Sequence, residues 1–309
     1  PPRSTPKPSS AASDVYKRQV VTGGAGFIGS NLVERLLERG DQVVVIDNES
    51  ANTHDEVYWN PNAMNVKGDV TDFSLLKNAC INADCIYHLA ADISIQYSIE
   101  NPTESYKNNV IGTLNVLEVA RVLGIKKVVF SSTAAIYGST SEPCVETDRP
   151  DPLNPYSVSK LAGENLMKMY NDLYGMQTVS LRYFNVYGPR QAYKGQYAPV
   201  IGIFQKQKFE EKPLTIIGDG NQTRDFIHVA DVAHANVMVA ESDVVGVFNV
   251  GSGVEYSVNQ IAMLTKNPYG TTTIPSREGE ARRSLSDNTK LKDIGWQPRI
   301  GLEAWMAKQ

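Results

Sequence analysis

The sequence predicts a doubly wound α/β fold: a parallel sheet covered by helices on both faces, with a smaller, irregular C-terminal domain built onto it. Three observations predict it. From Val20 to about residue 182, short apolar runs alternate with helical periods, the pattern of strand–helix–strand units around a buried parallel sheet. A glycine-rich turn joins the first strand to the first helix. After residue 182 the rhythm gives way to shorter elements cut by Gly188-Pro189, Gly218-Asp219-Gly220, Gly251-Ser252-Gly253 and Pro298.

The elements follow in order. Residues 1–19 are rich in Pro, Ser, Lys and Arg and lack the apolar stretch of a signal peptide; Ser10–Gln19 resembles translated sequencing-adapter sequence. This tail is expected to lie outside the fold, except that Lys17-Arg18-Gln19 stands where the first strand should begin. That strand ends at Val20-Val21-Thr22, and Leu32, Val33, Leu36 and Leu37 then form one apolar helical stripe stopped by Gly40. Val43-Val44-Val45-Ile46-Asp47 is apolar on both faces and reads as the second strand. Further strands are expected at Asn65–Lys67, Cys85–Leu89, Lys127–Ser131 and Thr178–Leu181, with helices at Ser74–Ala79, Pro102–Leu123 and Pro155–Tyr174. The expected domains are 20–182 and 183–309, with some later segments returning to the first.

Composition narrows the function. The 309 residues are 41% hydrophobic and 21% charged, as in ordinary globular proteins. No apolar run approaches the ~18 residues that span a bilayer. With 34 acids against 30 bases, the net charge of −4 offers no global attraction to nucleic acid or membranes. Cys80, Cys85 and Cys144 form neither a disulfide framework nor a metal-ligand spacing. They read as small core residues, so no metal is expected and the cytoplasm is the default compartment.

Gly23-x-x-Gly26-x-x-Gly29, with Phe27 and Ile28 inside it, lies between a strand and a helix. That context suits a tight turn, close backbone approach to a pyrophosphate and close helix–sheet packing, the dinucleotide loop of a Rossmann fold. The helix N-terminus would face the phosphates with free N–H groups. Asp47 ends the second strand, where a carboxylate accepts from a ribose 2′-hydroxyl and repels a 2′-phosphate. This favours NAD over NADP. Asp69-Val70, after the third strand, is placed to reach the adenine.

Tyr156 and Lys160 open a long helix at i, i+4 and so share one face. Beside a dinucleotide, the ammonium and the nicotinium ring could bring the phenol from about 10 towards 7, which takes roughly 4 kcal/mol. The product is a general base working near neutral pH.

These motifs continue along the chain. T-G-G-A-G-F-I-G-S at 22–30, Leu89-Ala90-Ala91, Asn109-Val110-Ile111-Gly112-Thr113, S-S-T-A-A-I-Y-G at 131–138, Y-S-V-S-K at 156–160 and L-R-Y-F-N-V-Y-G-P-R at 181–190 resemble the extended short-chain dehydrogenases that act on nucleotide sugars. R-D-F-I-H-V-A-D-V at 224–232, F-N-V-G-S-G at 248–253 and R-E-G-E at 277–280 extend the resemblance to residues 20–300. It implies that Thr133 hydrogen-bonds the sugar 4-oxygen beside Tyr156, the base, and that Lys160 holds the nicotinamide ribose. It lays Leu89, Ala90 and Ala91 along the cofactor and has Asn109 support the site. Asn185, Arg224 and Arg277 would bind the diphosphate, Glu280 the nucleotide ribose, and Thr215 and Ile217 the uracil. Long helices at 102–123 and 155–174 imply a homodimer by analogy.

Within the resemblance, 4,6-dehydratases carry Asp and Glu in the two positions after the Thr, and UDP-glucuronate decarboxylases carry Glu in the second. Here both are alanines, Ala134 and Ala135. The minimal cycle is then expected: oxidation at C4, rotation of the 4-keto sugar, and reduction on its other face, which epimerises a UDP-hexose with bound NAD. A dehydratase or decarboxylase of the same fold, or a non-catalytic NAD-binding regulator, is the alternative. Ser284, seven positions after Arg277, falls where the family places a gatekeeper beside the sugar. A small residue there leaves room for a 2-acetamido group, so the expectation extends from UDP-Glc/UDP-Gal to UDP-GlcNAc/UDP-GalNAc.

Overall fold

A computed structural model describes residues 17–51, 56–193, 198–276 and 281–309. Most of residues 1–19, together with Arg277 and Glu280, lie outside the described residues. The first half runs β1 (Arg18–Thr22), α1 (Phe27–Glu38), β2 (Gln42–Asp47), β3 (Met64–Lys67), α2 (Phe73–Ala79), β4 (Cys85–His88), α3 (Ile95–Glu100), α4 (Pro102–Tyr106), a π turn (Lys107–Ile111), α5 (Gly112–Leu123), β5 (Lys127–Thr133), α6 (Pro155–Tyr174) and β6 (Gln177–Tyr183). The second half runs β7 (Asn185–Tyr187), α7 (Val200–Phe209), β8 (Leu214–Ile217), β9 (Thr223–His228), α8 (Val229–Glu241), β10 (Gly246–Val250), β11 (Glu255–Ser257), α9 (Val258–Thr265), β12 (Thr271–Ile274), β13 (Arg283–Ser284), α10 (Thr289–Asp293) and α11 (Leu302–Met306).

Seven strands form one parallel sheet in the order β10-β6-β5-β4-β1-β2-β3. Its two faces are filled by separate apolar layers. Leu32, Val33 and Leu36 of α1 pack with Val21, Val129, Leu181 and Val239 on one side. Leu76, Val116, Leu117 and Met167 cover Val20, Val44, Ile86 and Phe130 on the other. Strand order reverses between β1 and β4, the position at which open α/β sheets bind ligands.

One feature departs from the simple sequence pattern. The helix expected over 102–123 is interrupted by the π turn, which rotates the inward face partway along its length. Residues beyond 182 return to the first sheet: β10 pairs with β6, and Ala235 and Val239 of α8 join the layer beneath α1. The remaining strands make a small lobe in which β9 pairs with β7, β11 and β13, while β8 pairs with β12. A third apolar cluster, including Ile201, Phe204, Leu214 and Ile261, supports that lobe.

Candidate functional site

Gly23 carries a φ of +68°, and a Cβ there would stand 2.7 Å from the Ala90 nitrogen. At Gly29 a Cβ would fall 2.1 Å from the Gly23 carbonyl oxygen. Both positions therefore require glycine for close approach. Gly26 is the N-cap of α1 and supplies no capping side chain, leaving N–H groups at this end for an anion. Asp47 accepts from the Ala25 nitrogen at 3.1 Å and the Glu49 nitrogen at 2.8 Å. Burial raises its pKa, against those two bonds. Asp69 uses both oxygens within the chain, accepting from Thr71 through one and from Asn48 through the other. Burial works against its charge, but these bonds prevail and its pKa falls. Val70 is buried and packs where a side chain on Gly112 would stand.

The strip after β4 is laid against this loop. The Leu89 nitrogen donates to the Thr22 carbonyl at 3.1 Å, and the Ala90 nitrogen to the Thr22 hydroxyl at 3.3 Å. Beyond Ala91, Asn109 is clamped from both ends of its amide. It accepts from the Asp92 nitrogen at 2.7 Å and donates to the Asp92 carbonyl and the Ser159 hydroxyl, each at 2.9 Å. The π turn is what aims Asn109 inward.

Helix α6 begins with Pro155 in its first turn and an Asn154/Ser157 capping box, which fixes the turn that carries Tyr156. The Tyr156 nitrogen donates to the Ser98 hydroxyl at 3.1 Å, joining α6 to α3. The Tyr156 and Thr133 side chains line one cleft. Burial is the larger effect and raises the phenol above its ordinary 10, while Thr133 acts to lower it. The downward shift expected beside a bound cofactor is thus not a property of the ligand-free chain, in which burial of the phenol dominates. Lys160 is buried, donates to the Ser131 carbonyl at 2.9 Å and lies 4.9 Å above the Phe130 ring. Burial draws its pKa down to about 7.

A cleft of about 800 Å³ opens beside these groups. It brings Phe27, Ile28, Thr133 and Tyr156 from the sheet side together with Asn185, Thr215, Ile217, Arg224 and Ser284 from the small lobe. Ala134 and Ala135 also line it. Ser284 is the strand partner of Arg224, so the gatekeeper candidate and the phosphate-binding candidate occupy adjacent strands. Arg224 donates to the Thr223 carbonyl at 2.8 Å. Lys160, Asp47, Asp69, Val70, Asn109 and the 89–91 strip do not line this cleft: Asp47, Asp69, Val70 and 89–91 stand at or just beyond the C-terminal ends of β2, β3 and β4, Lys160 is on α6 and Asn109 in the π turn.

The family model described as the NAD dependent epimerase/dehydratase family matches residues 19–251. The chain belongs to this family. A UDP-glucose 4-epimerase of Mycolicibacterium smegmatis is 37% identical over 94% of this chain and 96% of its own length. The crystal structure of a UDP-glucose 4-epimerase with UDP-glucose from Thermotoga maritima superposes with a TM-score of 0.89 at 36% identity, covering 94% and 96% of the two chains. That of a UDP-glucose 4-epimerase from Thermus thermophilus in complex with NAD gives 0.87 at 36% identity, again covering 94% and 96%.

The residues of this epimerase/dehydratase chain fit the family's cofactor. The close backbone packing that glycine alone permits at Gly23 and Gly29, the uncapped start of α1 and the acid closing β2 together form the glycine turn and helix start that suit a dinucleotide. Two groups that support the site carry no signal in the sequence. Gln207 grips Thr215 twice, accepting from its nitrogen at 3.0 Å and donating to its hydroxyl at 2.7 Å. His88 is buried between the hydroxyls of Thr22, at 2.8 Å, and Thr113, at 3.0 Å. Burial, with the Lys160 charge, takes its pKa down to about 3, so this ring is a neutral bridge. Its place in an apolar strand gives no polar signal. Among the described residues, no helix is long and apolar enough to cross a membrane and no side-chain cluster could hold a metal ion.

Proposed function

We propose that this chain epimerises UDP-hexoses at C4 through a transient 4-keto sugar. The observation that carries the reading is the cleft itself, where Thr133 and Tyr156 share one cavity with Arg224 and Asn185. Gly23, Gly26 and Gly29 would hold the cofactor diphosphate and Asp47 its ribose. When bound, NAD supplies the oxidant for the sugar carbon and then the reductant that restores it. Tyr156 takes the 4-hydroxyl proton and returns it after the sugar has turned. Thr133 holds the 4-oxygen against the phenol, and Lys160 provides the nearby positive charge. Because burial raises the phenol pKa, the charged partners must overcome that penalty as well as the roughly 4 kcal/mol separating pKa 10 from 7. Arg224 and Asn185 anchor the diphosphate, with Arg277 and Glu280 assigned from sequence to the same nucleotide. Ala134 and Ala135 give the cleft no carboxylate next to Thr133, which disfavours elimination or decarboxylation.

Thr215 and Ile217 line the uracil end in this reading, and Ser284 leaves the sugar end open to 2-acetamido hexoses. We also propose a homodimer through α5 and α6, whose outer surfaces expose Val122, Met169 and Leu173; sedimentation at twice the chain mass is expected. Incubation with UDP-galactose and UDP-GalNAc, with and without added NAD, tests the activity. The 4-epimers are expected. A stable 4-keto-6-deoxy product would favour a dehydratase, and no turnover a non-catalytic regulator. Tyr156→Phe should lower turnover at least ~100-fold while NAD remains bound; full activity in that variant would remove the phenol from its role.

A further inference from the structure

Behind the reacting groups lies a charged pair that the proposed mechanism does not use. Glu164 and Arg182 are 6% and 3% exposed. They pair through two bonds, Arg182 Nε to Oε1 at 2.9 Å and Nη2 to Oε2 at 2.7 Å. Ser132 donates its hydroxyl to the same Oε1 at 2.6 Å. Ser132 and Arg182 are direct partners across β5 and β6, and Glu164 lies one helical turn beyond Lys160 on α6. A single carboxylate thus ties two strands to one helix.

The guanidinium extends the tie. Its carbon lies 4.6 Å from the centre of the Tyr137 ring, and Tyr137 closes the short 3₁₀ turn that begins at Ala134, directly after Thr133. The Tyr137 hydroxyl donates to Asn249 of β10 at 2.7 Å. Asn249 donates in turn to the carbonyls of Cys144, at 2.8 Å, and Asp287, at 3.0 Å. A buried ion pair generally stabilises a fold no better than apolar residues of similar volume. Its neighbours suggest another use. Ser131, immediately before Ser132, offers the carbonyl that receives Lys160. Thr133, immediately after, lines the same cleft as Tyr156.

We infer that the Glu164–Arg182 pair is a positioning device for the reaction. By holding Ser132 and Tyr137, it sets where the Ser131 carbonyl, the Thr133 hydroxyl and the Lys160 ammonium stand relative to Tyr156. The inference rests on the epimerase reading for the roles of those groups. Small displacements of reacting groups carry large rate penalties, on the order of 100-fold for 1 Å.

The test uses the NAD-loaded protein. Glu164→Leu/Arg182→Met removes both charges together, and Ser132→Ala removes only the hydroxyl bond. The expected result in each is a melting temperature near wild type and unchanged NAD content. kcat should fall about 10–100-fold in the double variant and about 3–10-fold in Ser132→Ala, with KM changing less than threefold. Crystal structures should show Lys160 or Thr133 displaced. A folded double variant with wild-type kcat overturns the inference. If the double variant does not fold, Ser132→Ala decides it, and unchanged kcat there overturns it. Should the wild-type chain turn over no UDP-sugar, the activity reading falls by itself. The crystal structures then judge the positioning alone, and an undisturbed Lys160 and Thr133 refute it.

Discussion

Replacing Lys160 by Met should change how stability depends on pH, in a direction set by burial. The ammonium is 3% exposed, and desolvation takes its pKa from the ordinary 10.5 to about 7. The unfolded chain keeps this proton up to 10.5, whereas the folded, ligand-free chain releases it near 7. Between those limits the unfolded state binds more protons, so wild-type stability rises with pH. At 1.36 kcal/mol per pKa unit, burying the ammonium costs about 5 kcal/mol well below pH 7 and about 2 kcal/mol at pH 9. Methionine occupies similar space without the charge. Lost bonding to the Ser131 carbonyl adds an offset that does not vary with pH. Wild type should therefore gain about 2–3 kcal/mol on the variant between pH 6 and pH 9. His88, with a pKa near 3 in the fold and near 6.5 in the unfolded chain, makes both proteins gain stability as pH rises past 6, and so cancels in the difference between them. Urea unfolding of the cofactor-stripped proteins at pH 6, 7.5 and 9 measures the difference. A gap that stays constant with pH would refute the argument, because it would mean that Lys160 titrates alike in both states.

Three further outcomes follow from the site. Gly29→Ala puts a methyl group 2.1 Å from the Gly23 carbonyl; it should destabilise by roughly 1–3 kcal/mol and lose bound NAD, measured by melting temperature and by cofactor content after gel filtration. Arg224→Ala should raise KM for the UDP-sugar about 10–100-fold with kcat little changed, as expected when a charged hydrogen-bonding group worth ~1.5–3 kcal/mol is removed; initial rates decide. Ser284→Tyr should abolish turnover of UDP-GalNAc while UDP-galactose keeps most of its rate, read from the two substrates in parallel.

The first sheet was legible because its strands are buried on both faces and announce themselves as apolar runs, as in Val43–Ile46. The glycine loop was legible because three glycines sit where strand meets helix. The π turn was not, since one extra residue hardly disturbs an apolar period of 3.6. The return of β10 to the first sheet was expected only in outline, because strand order depends on pairing between distant segments. Ser132, Glu164 and Arg182 were passed over for a related reason. Each alone resembles a polar residue facing water, and only the register of β5 with β6 brings them together. At the cleft, sequence motifs named Thr215 but not Gln207, whose hold on it crosses the gap between a helix and a strand.

The π turn at Lys107–Ile111 limits how this protein can be improved. Within and after it, the Thr113 hydroxyl donates to the Asn109 carbonyl at 2.6 Å. Deleting one residue would regularise the backbone, yet it would also rotate one end of the helix by about 100° against the other. Either Asn109 would leave Asp92 and Ser159, or Val116 and Leu117 would leave the core. Engineering for heat resistance commonly starts by perfecting such helices. Here the irregularity and the geometry around Asn109 are the same feature, and removing one discards the other.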